Sequence, residues 1–204
     1  MSGTLYIISA PSGCGKTSLV NAMLQSTSNM VISISHTTRP MRPGEQDGVN
    51  YYFVDVETFQ KKIDEGEFLE YAEVFGHYYG TSRTKVVEQL EQGIDVVLEI
   101  DWQGARQVQT HCVHIVSIFI LPPSKNTLLQ RLRARRQDNE TVIQQRMTLA
   151  HEELSHYLEY HYLIVNDHFD DALSDLNAIV HAGRLRLESQ KEKNASLIAQ
   201  LLSE

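Results

Sequence analysis

Ala10-Pro11-Ser12-Gly13-Cys14-Gly15-Lys16-Thr17 separates a short apolar run, Leu5–Ala10 (LYIISA), from Thr17–Gln25 (TSLVNAMLQ). In the latter segment Leu19, Val20, Met23 and Leu24 recur at helical spacing. The order is strand, GxxxxGK[ST], helix, which is a phosphate-binding P-loop with Ala10 where the pattern prefers glycine. Gly13 and Gly15 permit backbone angles that let successive N–H groups turn inward around an anion. The helix that follows points its positive end at the same anion. Ser12 to Ser18 is therefore the expected phosphate cradle for ATP or GTP, with Lys16 as a point charge and the Thr17 hydroxyl placed for Mg²⁺. Cys14 reads as a small residue filling a loop position, not as an activated thiol.

Outward from the loop, short apolar segments alternate with helical ones. Met30–Ser35, Asp95–Asp101, Val113–Leu121 and Tyr162–Asn166 read as further strands. Pro122-Pro123 stops the fourth, and Ser124 is placed to cap a helix holding Leu128, Leu129 and Leu132. A longer helix is expected after Asn139, with Ile143, Met147, Ala150, Leu154 and Leu158 on one face, and another from about Phe169. This alternation predicts an α/β domain with a largely parallel sheet flanked by helices. Between His36 and Gly93 the character changes to short aromatic-rich runs, Tyr51–Val54 and Phe68–Phe75, around a small helix near Glu57–Glu65. That stretch reads as an inserted α+β lobe.

The formal net charge is −8, which argues against nucleic acid or anionic membranes as partners. No apolar run is long enough to span a bilayer, and the first residues lack the basic region of a secretory signal. With two cysteines, Cys14 and Cys112, a disulfide scaffold is not expected, and a reducing cytoplasm is the natural setting. No CxxC or HExxH occurs, and His111/His114 and His151/His156/His161 read as surface or capping histidines. Ser124–Arg146 carries six positive residues against two negative ones, a local +4 in an acidic chain. Alone, such a run reads as a solvated helix face; placed with Lys16, Arg39 and Arg42, as the family resemblance below implies, it would make a cationic pocket suited to two small phosphate ligands. Arg39 and Arg42, bracketed by Pro40 and Pro43, can clamp one phosphate dianion; alone, the same stretch also fits a charged surface turn.

The pieces APSGCGKT, SISHTTRPMRPGEQDGVNYYF, EFLEYAEVFGHYYGTS, LEIDWQG, PPS with arginines downstream, and IVND resemble the guanylate kinase family, in family order and over nearly the whole chain. The resemblance implies a P-loop NTPase core (1–34, 94–123 and 147–204), a monophosphate-binding lobe (35–93) and a helical lid (124–146). It implies transfer of phosphate from MgATP to GMP, and by extension dGMP. Arg39 and Arg42 match residues holding the GMP phosphate, helped by Tyr51 and Tyr79, while Ser35, Glu70 and Thr81 match the guanine readers. Glu70 makes chemical sense there: the guanine N1–H and N2–H₂ donors suit a carboxylate, and adenine would leave it facing a lone pair. Asp101 matches an acid near Mg²⁺ waters and guanine; Glu99 stands where the family has a shorter acid. Asn166 and Arg131 match the ATP side, and Arg135 and Arg146 match lid residues that contact the transferring phosphoryl group. Arg136 replaces a glycine common in the family.

Two other readings compete: a small-molecule kinase on the same fold, such as a ribose bisphosphate kinase, and a non-catalytic guanylate-kinase-like binding module. The guanine set speaks against the first, and the intact Gly13, Gly15, Lys16 and Thr17 against the second. The charged stretch near Arg184–Lys193 fits either a solvated extension or a homo-oligomer contact.

Overall fold

The computed structural model describes residues 3–74, 76–112, 115–134 and 139–203. β1 (Leu5–Ser9) is buried along its whole length, as expected of an uninterrupted apolar run at the centre of a parallel sheet. It pairs with β7 (Asp95–Glu99) on one side and β8 (Ile115–Leu121) on the other. β2 (Met30–Ile32) and β9 (Tyr162–Val165) complete a five-stranded order, β2-β7-β1-β8-β9, with every pair parallel.

Alternation along β1 divides the core. Tyr6 and Ile8 face α1 (Lys16–Ser26), α5 (Lys125–Ala134), α6 (Glu140–Ser155) and α7 (Phe169–Arg184), through Leu19, Met23, Leu128, Ile143 and Leu176. Leu5 and Ile7 face the opposite layer, with Val86 of α3 (Arg83–Glu91) and Ala105 and Val108 of α4 (Trp102–His111). The fold is thus α/β, a parallel sheet flanked by helices in a P-loop NTPase-like core.

A second sheet has the order β4-β3-β6-β5, built from β3 (His36–Thr37), β4 (Tyr52–Phe53), β5 (Phe68–Val74) and β6 (His77–Ser82). α2 (Val56–Asp64) lies on it, its first turn capped by Asp55, and Phe59 stacks on Phe68 and Tyr78.

Several expectations change. Met30–Ser35 does not form one strand: after Ile32 the chain leaves the first sheet, and His36 and Thr37 join the second. Ser35 therefore lies where the two sheets meet. α6 stops at Ser155, and a 3₁₀ turn over His156–Glu159 swings Leu158 out to 78% exposure, off the apolar face predicted for it. Phe75 and Val113 lie outside the described residues. The stretch beyond Arg184 forms two short helices, α8 (Leu187–Lys193) and α9 (Ala195–Leu202), neither with a buried residue.

Candidate active site

The loop after β1 bends where the sequence requires it. Gly13 and Gly15 hold φ of 98° and 88°, in the left-handed region. Helix α1 then starts at Lys16 with no side-chain cap and no acidic residue in its first turn, leaving its N-terminal N–H groups and positive end available to an anion. Lys16 Nζ reaches back to the Ile100 carbonyl at 3.4 Å, and Thr17 and Ser18 are exposed. Cys14 is fully buried in the core, so its thiol packs inward as the loop-filling reading expects.

The loop is supported from behind. Asn166, 4% exposed, donates its amide to the Cys14 carbonyl at 2.7 Å, and Arg131 donates to the Asn166 carbonyl at 3.0 Å. A Cβ on Gly15 would stand 2.4 Å from the Asn166 amide nitrogen. Asn166 thus spends its amide under the loop. The other terminal nitrogen of Arg131 is buried with no partner among the described residues.

Two α6 side chains meet the front of the loop at Ser12. Arg146 donates to the Ser12 hydroxyl at 3.0 Å, and the Glu153 carboxyl lies near the Ser12 backbone N–H. Burial, offset by nearby Lys16, pushes the Glu153 carboxyl up to about 7. Sequence reasoning passed over Glu153. The available signal was its place seven residues after Arg146, on the same face of the helix. Arg135 and Arg136 lie outside the described residues.

Beside the loop is a cavity of about 140 Å³ lined by Ser35, Tyr51, Glu70, Ala72, Val74, Tyr79, Glu99, Ile100 and Asp101. Six of the residues matched to GMP in the sequence share this cavity. Glu70 is 4% exposed and accepts from Thr81 Oγ1 at 2.5 Å, across the antiparallel β5–β6 pair. Burial raises its carboxyl to about 7, and the Asp101 charge adds to the rise against the Thr81 hydrogen bond.

The two loop arginines are not equivalent. Arg39 is 8% exposed, with its guanidinium 5.4 Å from the Tyr51 ring centre and an ion pair to Glu45 at 2.7 Å. Arg42 is exposed, and its backbone N–H donates to the other Glu45 oxygen at 2.7 Å. Glu45, quoted in the motif but given no role, therefore ties both arginines into one loop. The hydrogen bond from Arg39 is the main influence holding its carboxyl below the usual range.

The acid that touches Thr17 is Glu99, whose role the resemblance left open. The Thr17 hydroxyl donates to Glu99, at the end of the neighbouring strand β7. Asp101 caps α4, accepting from the Gly104 N–H at 2.9 Å, and also lines the cavity. The extra methylene of Glu99 carries its carboxylate to the hydroxyl from one strand over.

Comparisons with known proteins identify the family. The family model described as guanylate kinase matches residues 2–183. A guanylate kinase of Vibrio vulnificus is 57% identical over 204 residues, covering 99% of each chain. One of Alkalilimnicola ehrlichii is 57% identical over 202 residues, covering 99% of this chain and all of the relative. The crystal structure of guanylate kinase from Anaplasma phagocytophilum superposes with a TM-score of 0.77 at 36% identity, covering 91% of this chain and 88% of that one. This chain belongs to the guanylate kinase family.

Proposed function

We propose that the chain transfers the γ-phosphoryl group of ATP to the phosphate of GMP, and of dGMP, releasing ADP and GDP or dGDP. One observation carries the reading: Glu99 both lines the Glu70 cavity and accepts from Thr17, so the acceptor cavity opens onto the phosphate loop. A nucleotide seated against Glu70, Thr81 and Ser35 would extend its phosphate toward Tyr51, Tyr79 and Arg39, with Arg42 joining from the same loop.

The acceptor phosphate is already a nucleophile, so the chemistry needs no strong base. An acceptor oxygen forms a bond to the γ-phosphorus as the bond to the β–γ bridging oxygen breaks, and ADP leaves with that electron pair. Lys16 and the α1 N-terminus hold the β and γ oxygens; Arg146 and Arg135 stabilise charge on the group in transit. Mg²⁺ suits the site: the Thr17 hydroxyl and Glu99 carboxylate are hard oxygen donors, Asp101 of the same cavity would act through water, and the ion would neutralise charge on the β and γ oxygens. Residues 35–93 serve as the monophosphate lobe and 124–146 as a lid, closing to exclude water that would hydrolyse ATP. Among the described residues no helix is long and apolar enough to cross a membrane, and a cytoplasmic enzyme of nucleotide metabolism fits the family.

An ADP-release assay with GMP, dGMP, AMP, UMP and ribose phosphates tests the reading. Turnover with the two guanine nucleotides is expected; preference for a ribose phosphate, or inactivity with GMP, would overturn it.

A further inference from the structure

Trp102-Gln103-Gly104 follows Asp101 and takes no part in the mechanism above. At Gly104 the backbone does not call for glycine. The residue sits inside helix α4 and is absent from the positions with left-handed φ, and alanine is the better helix former. What distinguishes the position is its neighbour. A Cβ built on Gly104 would stand 2.3 Å from Glu70 Oε2, 3.1 Å from Glu70 Cδ and 3.5 Å from Asp101 Oδ1.

We propose that Gly104 is a positioning residue for guanine recognition, its missing side chain forming the slot that seats the Glu70 carboxylate between α4 and β5. This rests on Glu70 being the guanine reader.

Helix α4 cannot retreat from β5 to make room. Gln107 clips it to the residue after Glu70, donating to the Tyr71 carbonyl at 2.6 Å and accepting from the Tyr71 N–H at 3.1 Å. Asp101 caps the first turn, and Ala105 and Val108 are buried in the core. The mobile partner is the end of the Glu70 side chain. With alanine at 104 the carboxylate would have to withdraw by about 1 Å to regain ordinary contact. Its other oxygen is tied to Thr81 Oγ1, so withdrawal would break that bond or turn the carboxylate plane away from the N1–H and N2–H₂ edge. Two parallel hydrogen bonds tolerate such a shift poorly.

The test is a cycle of Gly104→Ala, Glu70→Ala and the double variant, read by KM for GMP, KM for ATP and melting temperature. For Gly104→Ala we expect KM for GMP to rise about tenfold or more, with KM for ATP unchanged. In the Glu70→Ala background, where no carboxylate remains to displace, Gly104→Ala should add little. If Gly104→Ala lowers the melting temperature, restoration by Glu70→Ala would support the slot equally. A Gly104→Ala enzyme with normal KM for GMP, alongside an impaired Glu70→Ala enzyme, overturns the positioning role and leaves the guanine reading intact. So does a Gly104 effect of the same size in both backgrounds. Unchanged GMP kinetics in Glu70→Ala would overturn the guanine reading itself.

Discussion

Glu70 should make GMP binding depend on pH in a direction fixed by its burial. In the free protein its carboxyl titrates near 7, raised first by desolvation and then by Asp101. Two guanine donors favour the ionised form, so the bound complex holds the proton less tightly and binding releases it. For a group titrating near 7, the ionised fraction falls from about nine-tenths at about pH 8 to about one-tenth at about pH 6. The apparent dissociation constant for GMP should therefore rise about tenfold across that interval. The GMP phosphate also gains a proton near the acid end, since its second ionisation lies at about 6. Glu70→Gln supplies the correction, because it keeps the phosphate titration and removes that of the carboxyl. Calorimetry in two buffers of different ionisation enthalpy, at about pH 7, should show about half a proton released by the parent chain beyond that of the variant. A flat ratio of dissociation constants, or identical proton release, would refute the argument. Stability carries the opposite sign. The folded state holds the Glu70 proton between the ordinary value of 4.5 and about 7, so its share of stability falls as pH rises through that window. Ionised burial then costs on the order of 3 kcal/mol. Glu70→Gln should accordingly raise the melting temperature of the free protein at about pH 8 while impairing GMP use.

Lys16→Ala should lower turnover by about two orders of magnitude or more while leaving the circular dichroism spectrum unchanged, since Lys16 is half-buried and among the described residues its ammonium bonds the Ile100 carbonyl at a long 3.4 Å. Near-normal turnover would remove the lysine from phosphate binding. His36, buried between Tyr52 and Phe68, titrates at about 4, lowered first by burial and then by Lys62 and Lys85. An unfolded histidine titrates higher, so the contribution is full above about pH 6.5 and is lost as pH falls through about 4. His36→Phe should flatten the acid limb of the melting-temperature profile between those values, and an unaltered limb would exclude His36 as its source.

How far the sequence could be read depended on how local the physics was. The phosphate loop was legible because its glycines, lysine and threonine are adjacent and flanked by a strand and a helix that announce themselves. Helix α4 was not, because it packs through Gly104, Ala105 and Val108 and has no stripe of large apolar residues. α3 buries Val86 alone, too little to register as a period. The Thr17–Glu99 and Arg146–Ser12 contacts join positions 82 and 134 residues apart, and spacing says nothing about such pairs. Leu158 fitted the helical period and still lies outside it, because α6 gives way to a 3₁₀ turn before reaching it.

The acceptor cavity mixes charges of both signs, and the mixture bears on orientation. Glu70, Glu99 and Asp101 line the acceptor cavity, while Arg39 sits beside it with Tyr51 and Tyr79 and is held by Glu45. The acceptor site therefore combines carboxylates that line the cavity with a guanidinium beside Tyr51. Guanine carries its donors on one edge and its phosphate across the sugar, so on the proposed reading the donors meet Glu70 and the phosphate meets Arg39. Reversed in the cavity, the phosphate would face carboxylates and the guanine donors would face a guanidinium, and both ends would be repelled in a partly desolvated space. A uniformly cationic pocket would hold the phosphate equally well and leave the base unread. On the proposed reading the acidic groups would supply the selectivity that the arginines cannot, and GMP binding should weaken with added salt while its preference over AMP persists, because the first would depend on an exposed Arg42 and the second on a buried Glu70.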